Sequence, residues 1–299
     1  AGAMGRRMSD PGGAEGAGYD LEGKVALVTG ASRGVGAATA IALAAAGSRV
    51  ACAARSTDAS PKRTPGTLDA TVGAINGVHG RGRALAVPTD LSDSDQVVAM
   101  VGVTVEEFGR LDVLVNNAAV TFVGDLDIAL RRHDLVMEIN LRAPLIAIRE
   151  AVPHMRASGQ GGRIVNVSSL AALNPIPGLM SYGISKIGLE RLTVDAARQL
   201  ARHGIAVNCF RIDVPVASEG FVANTPDTDH STWEPSEVAA EGICWMLRRP
   251  ASYSGRRESM AGLRRREGIM PSRSPQPQAG TPATEMFDGL AADTESIFR

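Results

Sequence analysis

Lys24-Val25-Ala26-Leu27-Val28-Thr29 runs directly into Gly30-Ala31-Ser32-Arg33-Gly34-Val35-Gly36, and this junction governs the reading of the whole 299-residue chain. The aliphatic run suits a buried strand, and the alanine-rich stretch Ala37 to Ala46 behind the glycines suits a helix. Strand, tight turn and helix therefore follow one another without a break. Glycines at the turn let the backbone bend and let a pyrophosphate reach the amides of the helix N-terminus, where the dipole favours negative charge. The spacing is Gly-x-x-x-Gly-x-Gly rather than the commoner Gly-x-Gly-x-x-Gly, and its place after a strand is what gives it weight.

Outward from that junction, short aliphatic runs alternate with longer alanine- and leucine-rich segments. Strands are expected near Val25–Thr29, Arg49–Ala53, Ala84–Pro88, Val113–Asn116, Ile164–Val167 and Ile205–Phe210. Helices are expected near Gly36–Ala46, Leu68–Val78, Ser94–Phe108, His133–Ala157, Ser181–His203 and Pro235–Leu247. The alternation predicts an α/β fold: a Rossmann-like, doubly wound parallel sheet in a single domain, with helices on both faces. Ligands of such sheets bind at the carboxyl ends of the strands.

Ser169, Tyr182 and Lys186 form the second informative cluster. Tyr182 and Lys186 lie one helical turn apart on one face. A free tyrosine has a pKa near ~10, and an adjacent ammonium favours the phenolate, so the lysine is expected to make the tyrosine a usable acid–base group. Ser169 ends the run Arg163 to Ser168 and can hydrogen-bond a substrate oxygen while the tyrosine moves its proton.

Taken in order, these motifs resemble those of the short-chain dehydrogenase/reductase family, in its compact one-domain branch, over roughly Leu21 to Pro250. Thr29 to Gly36 resembles its cofactor loop, and Thr89-Asp90-Leu91 the segment that holds the adenine. Asn116-Asn117-Ala118-Ala119 resembles the Asn-Asn-Ala-Gly that steadies the central strand. Asn140 falls where the family has an asparagine that bends a helix and holds a relay water. The resemblance implies Asn140, Ser169, Tyr182 and Lys186 as catalytic residues. At the cofactor it implies Gly30, Ser32, Arg33, Gly34, Val35, Gly36, Arg55, Asp90, Leu91, Asn117, Ala118 and Val214, together with Tyr182 and Lys186; it implies no metal.

The residue ending the second strand chooses between nicotinamide cofactors, because a carboxylate there accepts ribose hydroxyls but repels a 2′-phosphate. Here that place is Ala54, followed by Arg55, with Arg33 inside the glycine loop. Two guanidinium groups converging on one phosphate favour NADP(H) over NAD(H). Lys62 and Arg63, in the polar insertion Asp58 to Gly66, could add to that site, but read better as solvated loop residues. The expected activity is the NADP(H)-dependent interconversion of a carbonyl compound and an alcohol by hydride transfer. The alternative is a dinucleotide-sensing or scaffold protein that keeps the fold without turnover.

The chain departs from the family pattern after the sixth strand. Ile212-Asp213 stands where the family has Pro-Gly, and Ala217-Ser218 where it has a threonine. Asp213 either faces the substrate pocket, or turns away to cap a helix or pair with Arg211. The family's C-terminal strand has no clear counterpart around Ser254 to Met260.

The formal net charge of −1 gives no global attraction to nucleic acid or an anionic membrane, and neither is expected as a partner. Cys52, Cys209 and Cys244 are odd in number and widely spaced, and read as buried free thiols in a reducing compartment. No apolar run reaches the ~18 residues of a membrane span, and Ala1 to Gly18 lacks the apolar region of a secretory signal, so a cytoplasmic enzyme is expected. Residues 1–20 read as a disordered tail with a cloning remnant, 21–262 as the catalytic domain, and 263–299 as an extension, flexible or docked on a neighbouring subunit. A homo-oligomer, dimer or tetramer, is expected through the two longest helices.

Overall fold

A computed structural model describes residues 18–225 and 227–276, so most of the N-terminal tail and most of the C-terminal extension read from the sequence lie outside the described residues. Seven parallel strands form one sheet in the order β3-β2-β1-β4-β5-β6-β7. They are β1 (Val25–Thr29), β2 (Arg49–Ala54), β3 (Ala84–Pro88), β4 (Val113–Asn116), β5 (Gly162–Ser169), β6 (Ile205–Ile212) and β7 (Arg257–Ser259). The helices are α1 (Gly34–Ala45), α2 (Leu68–His79), α3 (Ser94–Phe108), α4 (Leu130–Met137), α5 (Ala143–Ala157), α6 (Met180–Leu200), α7 (Glu219–Asn224), α8 (Ser236–Leu247) and α9 (Met260–Glu267). This is the doubly wound Rossmann-like arrangement that the alternation of segments predicts.

The alternation of side chains along β1 shows why the sheet is covered twice. Ala26 and Val28 join an apolar core with α1, α8 and Phe210, while Val25 and Leu27 join a second core with α3, α5 and Ile205 on the opposite face. Strands buried on both sides read as continuous aliphatic runs, as β1 and β2 do. The strand order reverses between β1 and β4, which places a crevice at their carboxyl ends.

Three expectations are corrected. β7, for which the sequence offered no counterpart, does exist, pairing Arg257 to Ser259 with Cys209 to Arg211. It is a half-exposed edge strand of three polar residues, so it carries no aliphatic signature. The long helix expected over His133–Ala157 is broken into α4, a π-helical turn at Glu138–Arg142, and α5. α9 runs across residue 262, where the domain was expected to end. Beyond it Met270 is fully buried in the first core, at φ 55°, so the folded unit continues past that boundary. No helix among the described residues is long and apolar enough to cross a membrane.

Candidate active site

The ends of β1 and β4 are tied before any ligand is considered. Thr29 Oγ1 accepts hydrogen bonds from the N–H groups of Asn117 and Ala118, both at 3.1 Å, and Asn117 Nδ2 donates to Thr29 O at 2.9 Å. The turn that follows needs glycine twice. Gly30 sits at φ +69°, where a Cβ would lie 2.8 Å from Asn117 Nδ2, and a Cβ on Gly36 would strike Gly30 O. α1 then starts with no capping side chain and no acidic residue in its first turn, so its N–H groups are left to a ligand.

A cleft of about 500 Å³ opens above these ends. One end is lined by Gly30, Ser32, Arg33, Gly34, Val35, Arg55 and Asn117, and the other by Ser169, Tyr182, Lys186 and Val214. Gly36, Asp90, Leu91, Ala118 and Asn140 stand outside the lining. A cradle of glycines, an uncapped helix N-terminus and nearby cations fit a dinucleotide.

Lys186 is buried to 2 % exposure, its Nζ donating to Val167 O at 2.8 Å and lying 5.4 Å from the centroid of the Tyr182 ring. Burial brings its pKa down to about 8. Burial also pushes the Tyr182 phenol up to about 12, against a hydrogen bond with Ser169 that pulls it down. The lowered tyrosine pKa expected from the lysine is thus not what this geometry produces. Desolvation outweighs the Ser169 hydrogen bond.

Asn140 is fully buried in the π-helical turn. Its Oδ1 accepts from Val120 N–H at 2.8 Å, and its Nδ2 donates to Val120 O at 2.9 Å and Ser185 Oγ at 3.1 Å. The side chain thereby ties the loop after β4 to α6. Asp90 accepts from the N–H and the Oγ of Ser92. Burial pushes its carboxyl up, but these bonds and the nearby Arg55 charge win and hold it below the usual range.

Asp213 lines the cleft, but its Oδ1 accepts the N–H of Ala261 at 2.9 Å, in the first turn of α9. The helix cap is observed on a residue that still lines the cleft; a carboxylate there also suits the positive end of the helix dipole. Ser218 caps α7, its Oγ accepting from Phe221 N–H at 3.4 Å. Phe221 in turn stacks at 5.1 Å on Trp233, which His230 meets edge-on at 4.4 Å.

Two features escape the sequence. Beneath the catalytic end, the buried Glu190 carboxylate accepts from Arg211 Nε at 2.8 Å and Nη2 at 2.6 Å, and from Ser168 Oγ at 2.9 Å. Nothing in the sequence singles out a glutamate in mid-helix. The insertion after β2 folds back so that Lys62 and Arg63, although exposed, line the cofactor end of the cleft together with Thr64.

The family model described as short chain dehydrogenase matches residues 24–215, from the start of the first strand to the segment after β6. The chain belongs to the short-chain dehydrogenase family. A 3-oxoacyl-[acyl-carrier-protein] reductase of Synechocystis is 36 % identical over 220 residues, covering 72 % of this chain and 80 % of that protein. A short chain dehydrogenase/reductase of Aspergillus oryzae is 32 % identical over 251 residues, covering 79 % and 92 %. The crystal structure of a metagenomic short-chain oxidoreductase in complex with NADP superposes with a TM-score of 0.65 at 31 % identity, covering 81 % of this chain and 96 % of that one. The short-chain dehydrogenase described here is accordingly an oxidoreductase, and nicotinamide dinucleotides are the cofactors of its family.

Proposed function

We propose that this short-chain dehydrogenase interconverts a small carbonyl compound and its alcohol with NADP(H). The observation that carries the reading is the meeting, in one cleft of about 500 Å³, of the glycine cradle with Ser169, Tyr182 and Lys186. Bound NADP(H) would supply the hydride. The chain manages the proton and the positioning. In reduction, Tyr182, kept protonated by burial, donates its phenolic proton to the carbonyl oxygen, while Ser169 hydrogen-bonds that oxygen and polarises it. Lys186, fixed by Val167 O, keeps further N–H bonds for a ribose hydroxyl. Asn140 holds α6 in register behind them.

NADP(H) is preferred in this reading because β2 ends in Ala54, without a carboxylate, and cations surround the cleft there; the similar metagenomic oxidoreductase was solved with NADP. Three buried free thiols suit a cytoplasmic setting, and exposed apolar positions on α5 and α6 suit a homo-oligomer. Tyr182→Phe is the direct test. It deletes the acid–base hydroxyl and little packing, so turnover of a carbonyl panel with NADPH should fall by ~10²- to 10⁴-fold. Binding of NADPH, followed by its fluorescence, should stay near the wild-type value. Wild-type turnover in that variant would dismiss the mechanism.

A further inference from the structure

Arg33 is committed before any cofactor arrives. Its Nε donates to Pro65 O at 2.6 Å and its Nη2 to Thr64 O at 2.9 Å and Gly66 O at 2.8 Å, so the edge of the guanidinium that could grip a phosphate bidentately is spent on the backbone of the insertion. The insertion is tied down elsewhere too. Ser56 Oγ donates to Gly66 O at 2.9 Å, Leu68 N–H to Ser56 O at 2.8 Å, and Thr67 Oγ1 to Asp58 Oδ1 at 2.6 Å. Gly66, at φ +103°, lets the two loops touch, since a Cβ there would lie 2.6 Å from Ser32 O. The fold of this loop delivers Lys62 and Arg63 to the same end of the cleft as Arg55. Among the described residues none of these three cations forms a salt bridge. Three like charges at one end of the cleft raise the local potential and favour an anion, with Asp90 near Arg55 as a partial counterweight.

We infer that the 58–66 loop is a clamp for the 2′-phosphate of NADP(H), in which Lys62 and Arg63 join Arg55 as phosphate partners and Arg33 is the positioning residue that holds the loop in place. This rests on the NADP(H) reading and revises it, since Arg33 was expected to meet the phosphate itself. Lys62 and Arg63 are exposed. Their contribution is therefore screened by salt, and the clamp weakens as ionic strength rises.

The test uses fragments that carry only the adenosine end of the cofactor. Calorimetric titration of the wild type with adenosine 2′,5′-bisphosphate and with 5′-AMP should show tighter binding of the bisphosphate. The Lys62→Ala/Arg63→Ala variant should lose at least about tenfold in bisphosphate affinity, since two charged partners are removed. Its 5′-AMP affinity should not change. Lys62 and Arg63 are also trypsin sites, which gives a reading of loop order. In an otherwise wild-type background, Arg33→Ala should speed cleavage there several-fold without nucleotide, whereas a direct phosphate ligand would leave that rate alone. Equal wild-type affinity for the two fragments would overturn the NADP(H) reading and the clamp with it. A wild-type preference that survives in the double variant would overturn the clamp and leave the cofactor reading resting on Arg55. Unchanged cleavage in Arg33→Ala would remove the positioning role.

Discussion

Lys186 shows what a reactive side chain costs its fold. Its ammonium is buried with one backbone acceptor, and its pKa falls from 10.5 to about 8, equivalent to roughly 3 kcal/mol of lost stability at neutral pH. The folded state thus gives up its proton before the unfolded state does. Between pH 8 and 10.5 the unfolded chain binds more protons, so stability from this group rises with pH through that window. Lys186→Met removes the charge and keeps the length, at the expense of an unpaired Val167 O worth about 1 kcal/mol. The variant should be inactive yet melt at a higher temperature than wild type at pH 7, and this advantage should shrink as the pH is raised toward 10. A melting-temperature difference that stays constant over that range would show that the ammonium is not destabilised. Gly30, Gly36, Ser169 and Tyr182 were legible in the sequence because a positive φ, a close approach or a one-turn spacing is local chemistry. The partners of Arg33 were not, since they come from a loop whose path depends on tertiary ties.

Secondary elements were legible where hydrophobicity marks them, as it does for β1 to β6. β7 and the π-helical turn were not: the first is a polar edge, and the second is set by the bonds of Asn140 to Val120 and Ser185 rather than by any periodicity. β5, β6 and α6 are joined at the catalytic end by Ser168, Arg211 and Glu190, whose carboxylate is fully buried. Removing one member of such a pair strands the other charge, which typically costs about 3 to 5 kcal/mol, whereas replacing both with apolar residues is often neutral. Glu190→Ala should therefore lower the urea midpoint sharply, while Glu190→Leu combined with Arg211→Met should recover most of it. If the double variant is as unstable as the single one, the pair acts through geometry that an apolar core cannot replace.

The surface of the whole molecule is uneven in a way that bears on assembly. Leu192 and Leu200 on α6 are partly buried against the second core, and Ala196 belongs to that core outright. Ile184, Ile187 and Val194 remain exposed at 44 %, 41 % and 37 %, spaced so that they share one stripe of the helix, and Leu145 on α5 is exposed at 43 %. A stable interface buries about 800 Å² per partner around an apolar centre. A second copy of the chain is the occupant proposed for this face. Light scattering at micromolar concentration should give at least the mass of a dimer, and Ile187→Glu combined with Val194→Glu should reduce it to a monomer, because two carboxylates would face their own symmetry mates. The substituted side chains point away from both cores, so the circular dichroism of the variant should match wild type. A monomeric wild type, or a variant that assembles unchanged, would mean that this stripe is not where copies of the chain meet.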